Sequence, residues 1–394
     1  MLYSTRATVH LDALRHNIAA LRSLIGDRAL LAPLKANAYG HGAVAVAQFL
    51  DRERLVDWIG VTTVPEVLEL KQAGVGLPLM KLSLSFPDEL PLLVAGGAAV
   101  TVADEAGIDA VEAAAAAAGV TAQVHLKVDT GMRRVGCEPA GASALAQRIS
   151  ACQHLELQGI MTHLPISDMD DQGFTEAQLA AFRATVQTIQ DDRAAAGLAP
   201  VPLIHASNSG GILGHSLDGL TMVRPGISLF GCYPDATTPR PVALRPVMTL
   251  TSQIAAVKQV PAGQTVGYGR TWAAPCDTWI ATVPVGYADG YSRLNSNRGS
   301  MLVGGRRYPV AGRVCMDATM LDLGPSPEPP VNVGDTVTWL GSDGDETITA
   351  DDLAAIMGTI SHEVFCLIGA RVPRDYVLRH PAHCDYAQHR LRGV

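Results

Sequence analysis

The chain has 394 residues, of which 48% are hydrophobic and 17% charged, so it can bury a large core and is not a disordered polymer. Its length suits two domains, or one barrel with an appendage. A net charge of -8, with basic residues scattered rather than clustered, supplies no positive field for nucleic acid or anionic lipid and points to a small-molecule partner.

The opening segment, MLYSTRATVHLDALRHN, lacks the basic stretch and apolar run of a signal peptide. No later apolar run is long enough to span a membrane, so a cytoplasmic protein is expected. Apolar, often β-branched runs then recur at LLAPLKA, WIGVTT, LPLMKLSL, AAVTVAD, AQVHLKVD, LQGIMTHL, PLIHASNS and MVRPGISLFG. Helix-like stretches lie between them, among them GAVAVAQFLDRERL, VPEVLELKQAG, GIDAVEAAAAAAG and TEAQLAAFRATVQTIQDDRAAAG. Eight strand-helix units in the first 240 residues predict a (β/α)8 barrel, whose strands, buried on both faces, read as unbroken apolar runs. Pro33 counts against this, because it removes a ladder donor from a sheet with no free edge.

Beyond residue 240 the texture changes. Short alternating segments, TLTSQIAAVKQV, WIATVPVGYA, SMLVGGRRYPVAGRV, ATMLDLG and DTVTWLG, are separated by GG, PSPEPP and GSDGDE. They predict a mainly antiparallel β domain over 241–394, after a barrel over 1–240 whose first ten or so residues can pack on that second domain. Seven cysteines, an odd number with no CxxC pair, argue against a disulfide framework or a zinc ribbon. In the tail, His380, His383, Cys384 and His389 have a spacing that could hold a metal, but a solvated terminus is the better reading, and no metal is expected.

Such barrels carry their chemistry at the C-terminal ends of the strands. Lys35 stands at the first of these ends. A lysine held in a partly apolar site is a nucleophile toward carbonyls, whereas a lone lysine there would more often snorkel to solvent. Later ends carry Lys127 and Asp129, then His163, then His205 with Asn208 and Ser209, then Arg224. Taken singly, His163 reads as a structural histidine and Asp129-Thr130 as a cap for the following helix. The serine at 209 and the PGI at 225–227 offer a hydroxyl and backbone N–H groups where this fold usually binds phosphate. A reactive lysine with a phosphate cradle suggests pyridoxal 5′-phosphate. A class I aldolase acting on a sugar phosphate is the rival from spacing alone.

The string LKANAYGHG resembles the cofactor-lysine motif of alanine racemases. The resemblance continues in order through VHLKVDTGMRRVG, GIMTHLPISDMDDQGFTEAQLAAF, NSGG, VRPGISLFG, VGYGRTW, VPVGYADGYSR, GRVCMD and GTISHEVFC, across nearly the whole chain. It implies a pyridoxal-phosphate-dependent racemase of fold type III. It further implies a homodimer, because Tyr268 serves as the second base in the partner's active site, opposite Lys35. A free tyrosine titrates near pH 10, so Tyr268 needs neighbouring positive charge, and the family places His163 and Arg224 in that network. Arg224 matches the arginine facing the pyridine nitrogen. Being donor-only, it leaves the ring a weaker electron sink and disfavours transamination.

By the same resemblance Arg134 reaches the cofactor's phenolic oxygen and the substrate carboxylate, supported in some members by a carbamylated lysine at the position of Lys127. The phosphate set is Tyr39, Ser209, Gly226 and Ile227; the partner subunit's Met316 lies by the substrate carboxylate; Asp168, Tyr287, Arg293 and Arg313 line the entrance. The chain departs from the family at His362, where tyrosine usually contacts the phosphate and narrows the pocket. The expectation is either a pocket admitting serine or other amino acids, or histidine replacing the phosphate contact with alanine retained. Leu164, Pro165 and Ile166 also depart from the family, of which Pro165 and Ile166 could reshape the same pocket, and Arg133, where the family favours glycine, and Phe230, where tyrosine is common, read as neutral. A basic-amino-acid decarboxylase and a non-enzymatic cofactor carrier are the remaining readings; VGYGRTW and GRVCMD favour the racemase, which would supply a D-amino acid for the cell wall or a dedicated pathway.

Overall fold

The structure is a computed structural model that describes residues 3–378, so the histidine-rich tail lies outside the described residues. After β1 (Arg6–His10), the eight predicted runs become β2 (Ala29–Pro33), β3 (Trp58–Val61), β4 (Leu79–Lys81), β5 (Ala99–Val102), β6 (Ala122–Lys127), β7 (Leu155–Met161), β8 (Leu203–His205) and β9 (Met222–Val223). They pair in parallel and close, β9 onto β2, into a barrel. Every residue of β3, β4 and β5 is buried, as strands covered on both faces must be. Leu31, Trp58, Met80, Ala99, Met161 and Met222, from six different strands, form one core cluster.

Pro33 is accommodated at the last ladder position of β2, opposite Gly60, and the next residue supplies the missing donor: Leu34 N–H reaches the Gly60 carbonyl at 2.8 Å. The alanine-rich run is a helix, Glu105–Ala118. Asp104 caps its start by accepting from Gly107 N–H, and Gly119, at φ +67°, ends it in the left-handed conformation.

The chain divides into two compact units: Arg15–Ala38 with Ala43–Leu244, and the described parts of Met1–Leu14, Tyr39–Gly42 and Arg245–Val394. The second unit is built on β10 (Met248–Gln253), β11 (Ala256–Val260), β12 (Thr265–Val266), β13 (Trp272–Ala273), β14 (Thr278–Val283), β15 (Ser300–Val303), β16 (Arg306–Pro309), β17 (Thr319–Gly324), β18 (Thr336–Asp343), β19 (Glu346–Ile348) and β20 (Arg374–Val377). One sheet runs β16-β15-β18-β10-β1-β20, with β19 on β18, and another β11-β14-β17. The single segment TLTSQIAAVKQV thus supplies strands to two sheets. β1 pairs antiparallel with β10 and parallel with β20, the exception in a mainly antiparallel unit. Helices Ala350–Met357 and Ser361–Cys366 complete it.

Candidate active site

Lys35 opens a turn in which Ala36, Asn37, Ala38 and Tyr39 all have φ between +51° and +56°. Left-handed backbone costs an L-residue about 1–2 kcal/mol, so four in succession must be imposed by their surroundings. Glu66 is one restraint: its carboxylate accepts from Ala36 N–H at 2.7 Å, Thr62 N–H at 2.8 Å and Thr63 N–H at 3.0 Å. Asn37 is another, accepting from Ala43 N–H at 2.7 Å. Downstream, Gly40 cannot carry a side chain, since a Cβ would fall 2.2 Å from the Phe365 carbonyl oxygen.

The barrel mouth gathers positive charge around histidines. Arg224, 5% exposed, donates through Nη1 to His205 Nδ1 at 2.6 Å, and through Nη2 to the carbonyls of Thr162 at 2.7 Å and Ala206 at 3.0 Å, with His163 Nδ1 at 3.3 Å. No carboxylate pairs with it among the described residues, and burial lowers it to about 10. Lys127 is also buried, and burial, Arg224 and Arg134 push its ammonium well below the usual lysine range, against a smaller opposing effect of Asp129. His163 is held neutral by burial first and then by Arg224, Lys127, Arg134 and Lys35. Within this cluster the positive charge is carried by Arg224, and His163 is a neutral acceptor toward it.

At the ends of β8 and β9, Ser209 Oγ accepts from Gly226 N–H at 2.9 Å and Ser228 N–H at 3.2 Å and pairs with Ser228 Oγ at 2.9 Å. This clips together the two loops expected to hold phosphate. A donor-rich, carboxylate-poor clip, a lysine at a strained turn and a buried arginine without an acidic partner fit the donor set that pyridoxal phosphate requires.

Asp129 does not cap the next helix, which begins at Pro139. Its Oδ1 instead accepts from Gly131 and Arg133 N–H within its own loop. Arg133 sits at φ +57°, where glycine is the unstrained choice, so this substitution is not neutral for the backbone. Asp168 follows β7, and burial raises its carboxyl, with Asp235 adding to the effect.

In the β-rich unit, His362 sits with its ring centroid 5.8 Å from that of Tyr39. Tyr268 is 72% exposed on a turn flanked by Gly267 and Gly269, both at positive φ, and Arg313 packs against Gly269, where a Cβ would lie 3.1 Å from its Cζ. Met316 and Tyr287 are brought together by backbone bonds from Tyr287 N–H to Cys315 O and from Ala288 N–H to Met316 O. Arg293 lies exposed in a short 3-10 turn.

Three residues escaped sequence reading: Glu66, Asp289 and His125. T-x-x-E announced Glu66 as a capping box, but its bond to Ala36 joins distant segments. Asp289, fully buried, accepts from Tyr3 Oη, Gly286 N–H and Arg371, which steadies the Tyr287 loop. His125 shares a strand face with Lys127, two residues on, which was the available signal.

His125, His163 and His205 are each depressed by burial, His125 to about 4. An unfolded histidine titrates near 6.5, so the unfolded chain binds more protons below that pH. Their contribution to stability is therefore present above about pH 6.5 and is lost on acidification, at about 1.4 kcal/mol per pH unit for each histidine. Urea unfolding at pH 7 and pH 5 should show this loss, with a shallower slope in His125→Asn; equal slopes would contradict it.

The family model for the N-terminal domain of alanine racemase matches residues 9–234, and that for its C-terminal domain residues 247–376. Alanine racemase of Cutibacterium acnes is 43% identical over 374 residues, covering 95% of this chain and 98% of that protein. Among solved structures, alanine racemase of Clostridium difficile superposes with a TM-score of 0.89 at 33% identity, covering 96% of each chain. A histidine racemase of Leuconostoc mesenteroides matches with a TM-score of 0.84 at 27% identity, over 95% of this chain and 98% of that one.

Proposed function

The chain belongs to the alanine racemase family and is a pyridoxal-phosphate-dependent isomerase that interconverts L- and D-alanine, and we propose that it does so by two-base transfer of the α-proton between Lys35 and Tyr268 of the partner subunit. The observation that carries this mechanism is the barrel mouth, where Lys35, Lys127, Arg134 and Arg224 act together on one neutral histidine. Such a site favours an anionic cofactor and a substrate carboxylate. The decarboxylase and carrier readings are set aside, because the racemase model also matches the β-rich segment that holds Tyr268.

Lys35 would hold the cofactor through its aldehyde until the substrate amine takes its place, which frees Nζ to act as a base; the bound cofactor would supply an electron-withdrawing ring that acidifies the substrate Cα–H. Lys35 Nζ holds or returns the proton on one face, and the Tyr268 oxygen does so on the other. Arg224 cannot give a proton to the ring nitrogen, which keeps the withdrawal modest and favours return of the proton to carbon. His163, with Nδ1 toward Arg224, keeps its proton on Nε2, from which it would donate to the phenolic oxygen of the partner subunit's Tyr268. By the family resemblance, Ser209, Gly226, Ile227 and Tyr39 would hold the phosphate. Arg134 takes the substrate carboxylate with Met316 of the partner subunit, and Tyr287, Arg293, Arg313 and Asp168 line the approach.

Lys127 is a candidate for carbamylation: burial beside two arginines favours its neutral amine, and a carbamate would place an anion near them. The homodimer is supported by the exposure of Tyr268 at 72% and Met316 at 53%, side chains of a size that a second copy would cover. No helix among the described residues is long and apolar enough to cross a membrane. A cytoplasmic site of action and supply of D-alanine to peptidoglycan are proposed from the family alone.

The test is chiral chromatography of L-amino acids incubated with the enzyme and pyridoxal phosphate in deuterated water. D-alanine carrying deuterium at Cα is expected, and a decarboxylated amine, or no D-product, would overturn the proposal. His362 lies beside Tyr39, and one reading of its place is a pocket that also accepts serine, the other a histidine that takes over the phosphate contact with alanine retained; on the first reading the substrate preference rests on His362. His362→Tyr should then lower the serine-to-alanine ratio of kcat/KM by about tenfold, in the range that small changes in pocket size produce. An unchanged ratio would mean that His362 does not set specificity.

Glu66→Ala should cost about 1 kcal/mol through loss of the helix cap. It should also lower kcat by roughly tenfold or more, with less effect on KM, because the turn after Lys35 relaxes. Thermal melting and steady-state kinetics check both parts.

A further inference from the structure

His125 and His205 project into the barrel, a place normally filled by branched apolar side chains. Both are fully buried, and their rings meet edge to face with centroids 5.0 Å apart. Trp58, across the barrel, packs on His125 at 6.0 Å, also edge to face. The space for His125 is made by Gly159, where a Cβ would fall 2.1 Å from His125 Nδ1. A pair of imidazoles with a glycine cleared for one of them is a costly way to fill a core, so a polar task is indicated.

The proton positions follow from one fact, that arginine only donates. Arg224 Nη1 donates to His205 Nδ1 at 2.6 Å, so Nδ1 is bare and the His205 proton sits on Nε2. His205 Nε2 lies 2.8 Å from His125 Nδ1, so it donates and His125 Nδ1 accepts. The His125 proton is then on Nε2, where the Gln158 side chain is the group placed to receive it, pulling the ring's titration up against the larger effect of burial. Burial keeps both rings neutral. The chain Arg224, His205, His125 therefore has a single consistent direction, each group donating to the next.

We propose that His125 is a positioning residue for the racemisation: by accepting from His205 it locks the tautomer that leaves His205 Nδ1 bare, and so fixes the Arg224 guanidinium. Without that acceptor the His205 Nε2–H is left buried and unpaired, which weakens the preference for the tautomer with a bare Nδ1 and loosens the hold on the Arg224 guanidinium; in the opposite tautomer an Nδ1–H would face the Arg224 donors. The proposal rests on the racemase reading above for what Arg224 does, and on geometry alone for the proton order.

Two variants separate chemistry from packing. His125→Asn would keep an acceptor near the Nδ1 position but fill less space, whereas His125→Phe would keep the volume and lose the acceptor. His125→Asn is expected to stay within a few-fold of the parent kcat, and His125→Phe to lose on the order of tenfold or more. In His125→Phe the yield of pyruvate per D-alanine, the signature of transamination, should rise, and the absorption band of the bound cofactor should shift. His125→Phe performing as well as His125→Asn would assign His125 to packing and overturn the proposal.

A readout without turnover is neutron diffraction from perdeuterated protein. Deuterium on Nε2 of both His205 and His125 is expected, and deuterium on His205 Nδ1 would overturn the proposal even if His125→Phe fails to fold. If the parent enzyme does not racemise alanine, the functional reading fails while the proton order is still decided by diffraction.

Discussion

Replacing Lys35 with alanine is expected to lower alanine racemisation by at least about 10⁴-fold, because one side chain both anchors the cofactor and carries the proton on one face. General-base catalysis alone is worth about 10²–10⁴-fold, and loss of the covalent anchor adds to that. The measurement is formation of D-alanine from L-alanine by chiral chromatography, together with the visible absorbance of the protein mixed with pyridoxal phosphate. The variant should bind the cofactor reversibly, so that dialysis removes it, whereas the parent protein retains it. Activity within tenfold of the parent would mean that the lysine at the β2 end is not the anchor. The neighbouring turn gives the same experiment a structural control. Ala36 to Tyr39 are held left-handed by Glu66 and Asn37, which bind backbone and side-chain positions other than the Lys35 ammonium, so the fold should survive.

The second large effect concerns Tyr268. Tyr268→Phe removes only the phenolic oxygen and should reduce inversion by about 10²–10⁴-fold, the range for loss of a positioned acid-base group. Exchange of the α-hydrogen with deuterated solvent should survive for one enantiomer, the one deprotonated by Lys35, without change of configuration. Exchange lost equally from both enantiomers would show that Tyr268 is not the base of a single face. Mixing the two inactive chains tests where the tyrosine acts. If Tyr268 serves the partner's site, a hybrid dimer of Lys35→Ala and Tyr268→Phe chains holds one intact site and one doubly defective site. Random two-fold assembly would restore about a quarter of the parent activity. If Tyr268 serves its own chain, each hybrid site keeps one defect and no activity returns. The 72% exposure of Tyr268 in the single chain leads us to expect restoration.

How far these residues were legible in sequence depended on whether their signal was local. Buried parallel strands advertise themselves as unbroken apolar runs, and all eight runs became barrel strands. Once a barrel is expected, strand ends mark its chemical face, which singled out Lys35, Lys127, His163, His205 and Arg224. The alternating segments beyond residue 240 became sheets, but TLTSQIAAVKQV divided between two of them, because a strand's partners are chosen across the fold and not by its own pattern. β1 likewise finds β10 and β20 more than 200 residues away, a pairing that no local pattern encodes.

Residue order by itself determined the fold class and the family, and it nominated Lys35 as the cofactor lysine, because each signal resides in a contiguous string or a fixed spacing. Only the tertiary structure decided the conformation and protonation of the site. Ala-Asn-Ala-Tyr has no glycine to suggest four left-handed residues; Glu66, thirty positions from Ala36, helps impose them. Nothing in HLK or HAS states which imidazole nitrogen bears a proton, and that follows from Arg224 lying 2.6 Å from His205, with His125 beyond it. Backbone strain and buried proton order are collective properties: each needs partners brought close from distant parts of the chain, and low-dielectric surroundings that folding alone creates.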